Sequence, residues 1–352
     1  MGFYQAIQLS AANLKPLIKN AESKEIKNKY IAALILKSIL CLLFCTIVVI
    51  SFGKVFGEEN NVVGVVTVIS LLNFRFSNLD FKVRQAALTI VGIFGVLSIS
   101  PYIASISNPF LGFIINFISI IGILILTCHN VRLCNHSILV LSYFLLYGYK
   151  VENTEILINR IIGLIFGGIL VASIFYIKQR KIEFKNTFID IINDVDFNTE
   201  RTKWQLKFAF VTTSAIMIGE FLHIPRAMWI GIACMSVFHP DKSQLQIRYK
   251  QRMLYMVLGC LMYMSIYFLI PQQFRGLIGL IGGVMIGFSG TYKWQTVFNA
   301  FGALSAATPI LGVGGAIIFR ILNNVFGALY SKGFDYIINF IDNKEFANVN
   351  EA

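Results

Sequence analysis

Apolar runs of about 13 to 25 residues alternate along the chain with short polar connectors that are mostly basic. A hydrocarbon core about 30 Å thick is crossed by about 20 apolar residues in a helix. Inside that core every backbone amide must be hydrogen-bonded within its own segment, so the runs predict membrane-spanning helices. Twelve spans are predicted, at residues 30–53, 61–74, 83–104, 109–128, 133–149, 156–177, 204–224, 226–238, 252–270, 274–290, 296–313 and 314–338.

The composition favours a polytopic, all-α transmembrane protein over a soluble helical one. Hydrophobic residues make up 56% of the 352 residues and charged residues 14%, whereas soluble domains carry about 25% charge. A soluble protein would have no place to bury so much apolar surface. Two predicted spans, 61–74 and 226–238, are short for a complete crossing, and we expect them to be tilted or to pass part of the way.

The distribution of basic residues predicts the orientation. If all twelve spans cross, 23 lysines and arginines fall on the side of the termini and 4 on the opposite side. The positive-inside rule then places both termini in the cytoplasm, with the protein in the plasma (cell inner) membrane. The net charge of +12 indicates contact with anionic inner-leaflet lipid. No nucleic-acid partner is expected, because no aromatic and basic groove motif accompanies the short basic loops.

The chain is predicted to have five segments. Residues 1–29 predict a cytoplasmic amphipathic segment, and the lack of an apolar core there argues against a signal peptide. Two six-helix membrane repeats follow, at 30–178 and 204–338. A cytoplasmic linker at 179–203 joins the repeats, and a cytoplasmic tail occupies 339–352.

An internal repeat is visible where the two six-span units close. The run RIIGLIFG from Arg160 to Gly167 parallels RILNNVFG from Arg320 to Gly327, with the same spacing from arginine to Phe-Gly. Because each unit has an even number of spans, both enter the membrane from the same side. The repeat is therefore predicted to be parallel, an arrangement that places substrate sites near mid-depth between the halves.

Several motifs in the second half carry a family resemblance. They are Lys203-Trp-Gln-Leu-Lys207 opening an apolar helix, Pro225-Arg-Ala-Met-Trp229, His239-Pro240, and Arg248 and Arg252 leading into Val257-Leu-Gly259. This stretch resembles the fusaric-acid-resistance / aromatic acid exporter (FUSC) family of integral membrane proteins. The resemblance implies efflux of aromatic carboxylic acids and similar weak organic acids.

Two arginines at matching repeat positions are the first candidates for substrate binding. Arg160 and Arg320 each lie a few residues into an apolar helix, where a fixed charge is costly and normally faces a cavity. A guanidinium fork suits a carboxylate. The alternatives are snorkelling to the outer interface and an ion pair with Glu155 or Glu220.

Each of four further basic residues has two possible roles. Lys37 and Lys207 are candidates for substrate binding, or they snorkel to the inner headgroups. Arg248 and Arg252 share a helix face, because they are four positions apart. This pair is predicted at the cytoplasmic mouth, where it collects anions or binds lipid.

Polar residues elsewhere in the second half complete the candidates. Asn323 and Asn324 line a polar substrate cavity or bond neighbouring helices. Glu220 and His223 are candidates for proton coupling, because histidine titrates near neutral pH. A static salt bridge among Glu220, His223 and Arg226 is the alternative.

These features predict a secondary transporter that exports small organic anions, with aromatic carboxylic acids implied by the resemblance. The alternatives are an organic-anion channel and a non-transporting membrane scaffold component, and a homo-oligomer is left open. Neither an enzyme nor a cofactor is predicted, because HExxH, GxSxG and GxxxxGKS/T motifs are absent. The six cysteines have no CxxC spacing, so no metal site is predicted.

Overall fold

The structure, a computed structural model, describes the backbone of residues 1–350 and the side chains of residues 1–241 and 243–340. The described chain is helical and contains no strand. Its helices are α1 Phe3–Gln8, α2 Ala11–Lys19, α3 Lys24–Phe56, α4 Asn61–Phe74, α5 Val83–Ile106, α6 Pro109–Thr127, α7 His136–Gly148, α8 Thr154–Gln179, α9 Phe188–Asn193, α10 Glu200–Phe221, α11 Met228–Val237, α12 Lys242–Leu269, α13 Ile278–Phe288 and α14 Tyr292–Asn350.

The predicted all-α membrane class is confirmed at the level of helix length and composition. Six stretches within the described residues are long and apolar enough to cross a membrane: Lys24–Phe56, Val83–Ile106, Pro109–Thr127, Thr154–Gln179, Ser243–Leu269 and Tyr292–Phe340. The other predicted runs are also helical, but α4, α7, α11 and α13 are shorter. Twelve crossings and the parallel repeat stay predictions.

The chain forms two compact units. Unit 1 consists of Met1–Ile47 and Gln246–Phe326, and unit 2 consists of Val48–Leu245 and the chain from Gly327 onward. Because the division cuts α3 and α14, neither unit is a continuous stretch of sequence. Each unit is described by itself below.

Unit 2 is built from α4 to α11 with the end of α3 and the last part of α14. Within it α5 packs on α8 and α6, and α10 packs on α6 and α11. Glycines let two of these helices approach closely, because a Cβ on Gly168 of α8 would lie 2.6 Å from Phe94 Cβ of α5. Phe74 and Phe175 add an edge-to-face contact with ring centroids 6.1 Å apart.

Unit 1 contains a glycine face on α13 that packs against two neighbours. A Cβ on Gly287 would lie 2.9 Å from Ser38 of α3. A Cβ on Gly279 would lie 3.3 Å from Ser305 of α14. The small residues therefore provide the close helix packing expected of a small-xxx-small ridge.

The N-terminal segment differs in detail from the predicted amphipathic segment. It forms two short helices, α1 and α2, because Leu9 adopts an extended backbone and Ser10 caps α2 by accepting a hydrogen bond from the Asn13 amide. Its side chains Ala6 and Leu14 are fully buried in unit 1. Helix α3 begins at Lys24, several residues before the predicted span.

A backbone break interrupts α14. Gly312 has a φ of 67°, in the left-handed region that residues with a Cβ rarely adopt. Pro309 lies three residues earlier and lacks the amide that would continue the hydrogen-bond ladder. The break lies at the end of the predicted span 296–313, just before the predicted span 314–338.

The predicted linker is ordered against unit 2. Thr187 and Asp190 form a capping box that starts α9. The Lys82 amide donates to the Asn186 carbonyl at 2.9 Å, and the Phe188 amide donates to Gln85 Oε1 at 2.8 Å. The linker is therefore attached to the loop before α5.

Candidate functional site

Four buried polar residues of unit 1 form the arginine–asparagine cluster: Arg252 from α12, and Arg320, Asn323 and Asn324 from α14. Arg252 and Arg320 are each 4% exposed, and both asparagines are fully buried. The thiol of Cys260 lies within electrostatic range of both guanidiniums. Both arginine side chains therefore reach the same region of unit 1.

Asn324 joins the two helices through two hydrogen bonds. Its side-chain nitrogen donates to the Arg320 carbonyl one turn earlier at 2.7 Å. Its Oδ1 accepts from Arg252 Nε at 3.0 Å. Because the amide donates on one side, its oxygen is directed at the guanidinium, and this fixes Arg252 in position.

The guanidinium of Arg252 keeps an unsatisfied donor. Its Nη2 is buried and has no hydrogen-bond partner among the described residues. Leaving a buried polar group unsatisfied costs about 1–3 kcal/mol, and more when the group is charged. A buried cation is normally paired with an anion.

The sequence around the cluster contains no acid that could supply that anion. No aspartate or glutamate stands between Asp241 and Asp335, and we call this stretch the acid-free segment. The two glutamates in the N-terminal part of unit 1, Glu22 and Glu25, are exposed. The cluster therefore suits a negatively charged ligand that approaches Arg252.

The structure separates the two arginines that were predicted together at the cytoplasmic mouth. Arg248 is partly exposed, and its guanidinium carbon lies 5.0 Å from the centre of the Tyr292 ring. Arg252 is instead buried in the cluster with Asn324. Although the two residues share a helix face and are one turn apart, Arg248 lies near the surface and Arg252 lies in the core of unit 1.

Arg160 has a different environment in unit 2. Its Nε donates to Asn60 Oδ1 at 3.0 Å, and its terminal nitrogens donate to the carbonyls of Tyr149 and Glu59. The expected alternative, an ion pair with Glu155 or Glu220, is not formed. Arg160 is 4% exposed and does not snorkel; it ties two helix-connecting loops together. Its predicted contact with substrate stays a prediction.

The two predicted lysines lie in separate places. Lys37 of unit 1 is half-buried, and its ammonium donates to the Leu9 carbonyl, so it anchors the junction between α1 and α2. Lys207 of unit 2 lines a cavity of about 710 Å³ at the start of α10.

That cavity, which we call the indole cavity, has charged and aromatic walls. Its lining residues are Val131, Glu200, Arg201, Lys203, Trp204, Lys207, Phe238, His239, Pro240, Leu245, Asp335, Ile338 and Asn339. All of them belong to unit 2.

Arg201 at the edge of this cavity is already bonded within the protein. Its Nη1 donates to Asp194 Oδ2 at 2.9 Å and lies 3.0 Å from His129 Nδ1. Partial burial and the neighbouring Arg201 lower the pKa of His129. A neutral ring can accept the arginine's hydrogen, so Arg201 is held away from a ligand.

The predicted proton-coupling residues do not pair with each other. No ion pair joins the side chains of Glu220 and His223, both of which the structure describes. His223 is exposed, while Glu220 lies beside the Tyr147 hydroxyl. The static salt bridge expected as the alternative is therefore absent between these two residues.

Comparison with known families supports the resemblance read from the motifs. Residues 214–331, about a third of the chain, match the family model described as fusaric acid resistance protein-like. The predicted family resemblance is confirmed. The FUSC-like region includes Arg252, Arg320, Asn323 and Asn324. The indole cavity is lined by residues before, within and after that region. Neither the curated proteins nor the solved structures gave a match.

Sequence reasoning placed Arg320, Asn323 and Asn324 among the predicted substrate contacts and Arg252 at the cytoplasmic mouth, whereas the structure brings Arg252 to Asn324. The acid-free segment does not single out Arg252, because it also contains Arg248, Arg275 and Arg320. The sequence contains no signal for the unsatisfied indole nitrogen of Trp204 in the indole cavity.

Proposed function

We propose that this protein is a secondary transporter that exports small organic anions across the plasma membrane, with aromatic carboxylates as the preferred class. The family match and the six membrane-length helices support a membrane transport role. The observation that carries the proposal is the buried guanidinium of Arg252, whose Nη2 has no partner among the described residues.

The chemistry of the cluster fits a carboxylate. A guanidinium offers parallel N–H donors that match the two carboxylate oxygens. Nε already donates to Asn324, and Nη2 is the donor that lacks a partner among the described residues. Arg320 is proposed as the second positive charge, and Asn323 as a neighbouring polar contact. Arg160, Lys37 and Lys207 are predicted contacts outside the cluster.

Burial of the cluster favours a carrier over an open pore. Arg252 is 4% exposed, so water does not reach it freely in this state. A carrier exposes its site alternately to the two sides, whereas a channel keeps a continuous path. Unitary currents in planar bilayers would favour the anion channel instead.

The proposal is tested by efflux of labelled benzoate from cells that express the chain. We expect Arg252→Gln to slow efflux about tenfold or more, because a hydrogen bond to a charged group contributes about 1.5–3 kcal/mol and a tenfold change corresponds to about 1.4 kcal/mol. The glutamine side chain is polar but shorter than arginine, and it presents no charge to the carboxylate.

The matched control is Lys250→Gln, which removes an exposed charge from the same helix. It should retain efflux within about twofold, since exposed charges are worth about 1 kcal/mol or less. Membrane content of each variant is measured by immunoblot. Equal efflux by wild type and Arg252→Gln at equal membrane content would refute the assigned site.

A further inference from the structure

The indole cavity has features of a second binding site, separate from the arginine–asparagine cluster. We propose that it captures aromatic monocarboxylates before transport. The ligand class rests on the proposed function, while the site itself rests on its own geometry in unit 2. Its volume of about 710 Å³ corresponds to on the order of twenty water molecules at about 30 Å³ each. A one-ring acid therefore fits.

An unsatisfied indole donor points to a ligand acceptor. Trp204 lines the cavity and is 8% exposed. Its Nε1 is buried and has no hydrogen-bond partner among the described residues. Buried indole N–H groups usually find a partner, so a small shift of the ring that opens Nε1 to the cavity would let a ligand oxygen accept from it.

The position of the indole is fixed by its neighbours. The Trp204 ring centroid lies 5.1 Å from that of His136 and 5.2 Å from that of Phe208. Such aromatic contacts hold a ring in one orientation. The contacts therefore hold the ring in one orientation at the cavity wall.

The charges of the cavity select a ligand with one negative charge. Arg201 is engaged by Asp194, and Lys203 Nζ lies 3.6 Å from Glu200 Oε1. Lys207 supplies a further positive charge, and Asp335 supplies a negative one. With two carboxylates on the lining, a second negative charge on the ligand would be repelled, so phosphates and dicarboxylates are disfavoured.

The remaining wall is apolar and suits a flat ring. Phe238, Pro240, Leu245 and Ile338 contribute apolar surface to the cavity. A ligand with a carboxylate at one end and an aromatic ring at the other would place each part against matching groups. An aliphatic dicarboxylate would match neither the charge nor the wall.

Quenching of tryptophan fluorescence by para-nitrobenzoate tests the site on the purified full chain in detergent. Trp204 is the reporter, and Trp229 and Trp294 are the background. We expect saturable quenching in the wild type, with an apparent Kd raised about fivefold or more in Lys207→Gln. Neutral para-nitrobenzamide should quench far less, since it carries no charge.

Two variants and a control locate the bound probe. Lys150→Gln, which changes an exposed lysine outside the cavity, should leave the Kd unchanged. Arg252→Gln should retain the saturable quenching, which separates this site from the cluster. Trp204→Phe keeps an aromatic ring but removes the N–H, and we expect a raised KM for benzoate efflux with little change in maximal rate.

The results distinguish this proposal from the proposed function. Wild-type efflux without saturable quenching, or an unchanged Kd in Lys207→Gln, would overturn the capture site and leave the transport proposal standing. Loss of quenching in Arg252→Gln would place the probe at the cluster and also overturn the capture site. Saturable quenching that depends on Lys207, without efflux by any form, would support the site and reject the transport function.

Discussion

Two buried arginines of this chain show how the partners of a residue decide its role. Arg160 donates three hydrogen bonds, to Asn60 and to the carbonyls of Glu59 and Tyr149. Arg252 donates to Asn324, while its Nη2 is unsatisfied among the described residues. Both arginines lie in apolar helices. Arg160 stabilises the connecting loops, whereas Nη2 of Arg252 is the N–H donor that we propose binds a carboxylate.

A carboxylate introduced beside Arg252 by substitution should bind its guanidinium in place of the substrate. Asn324→Asp replaces the amide whose oxygen accepts from Arg252 Nε at 3.0 Å. We expect benzoate efflux to fall about tenfold or more, because the new ion pair competes with the substrate. The unfolding temperature should hold or rise, since a buried cation gains a partner.

Asn324→Leu is the comparison for that variant. It removes the hydrogen bond without adding charge, so it should lower both the unfolding temperature and the affinity for benzoate. Efflux is measured in reconstituted vesicles, and unfolding is measured by thermal shift in detergent. Full transport by Asn324→Asp would show that Arg252 has no electrostatic role.

Arg160→Gln separates the loop-anchoring role from the predicted substrate contact. Loss of these hydrogen bonds should destabilise the chain by about 2 kcal/mol, measured as a lower unfolding temperature of the purified protein. If Arg160 acts only on the loops, the KM for benzoate stays at the wild-type value. A raised KM with an unchanged unfolding temperature would instead establish the substrate contact.

At the scale of helices, the apolar runs predicted where the helices lie, but they predicted the first and last residues of the helices less accurately. α4 begins and ends at the predicted residues, because its apolar run is bounded by polar residues on both sides. α3 begins at Lys24 rather than at residue 30, since charged residues can continue a helix beyond an apolar run. α9 was missed because six residues in a charged linker give no periodic signal.

The break at Gly312 makes a prediction about helix geometry. Gly312→Ala should cost about 1–3 kcal/mol, because its backbone (φ 67°, ψ 165°) lies in a region essentially restricted to glycine, although nothing lies within 4 Å of the added Cβ. Gly314→Ala, whose added Cβ also meets nothing within 4 Å, should be neutral or stabilising. Thermal unfolding of the two variants checks this, and equal effects would contradict the assignment of the break.

At the scale of the whole molecule, the number of crossings is the main prediction still to be tested. α4 has 14 residues and α11 has 10, which at about 1.5 Å per residue are shorter than a core about 30 Å thick. The predicted alternation of basic loops nevertheless favours a crossing by both. Hydropathy and charge thus indicate the membrane class and orientation, but helix length by itself does not fix the topology.

Labelling of introduced cysteines with a membrane-impermeant reagent on intact cells tests whether α4 crosses. Glu58→Cys, before α4, should react from outside. Lys82→Cys, after α4, should react only after the membrane is opened. The parent chain, with its own cysteines, gives the background labelling. Labelling of both positions from the same side would contradict twelve crossings and the parallel repeat.

The anion site could be predicted from the sequence only in part. Asn323 and Asn324 lie about one turn after Arg320, at 3.6 residues per turn, so their proximity could be predicted from spacing. The approach of Arg252 to Asn324 depends on how α12 packs against α14, which no local pattern encodes. The indole cavity likewise joins residues that are far apart in the sequence, and their spacing does not predict that they line one cavity.

Counterflow of labelled benzoate in proteoliposomes tests the central claim most directly, that the buried charge of Arg252 binds a carboxylate during transport. Vesicles containing purified protein are loaded with unlabelled benzoate and diluted into labelled benzoate. We expect wild-type vesicles to accumulate label transiently, vesicles loaded with benzamide not to do so, and Arg252→Gln vesicles to show no accumulation. Accumulation by Arg252→Gln vesicles at the wild-type rate would contradict the account.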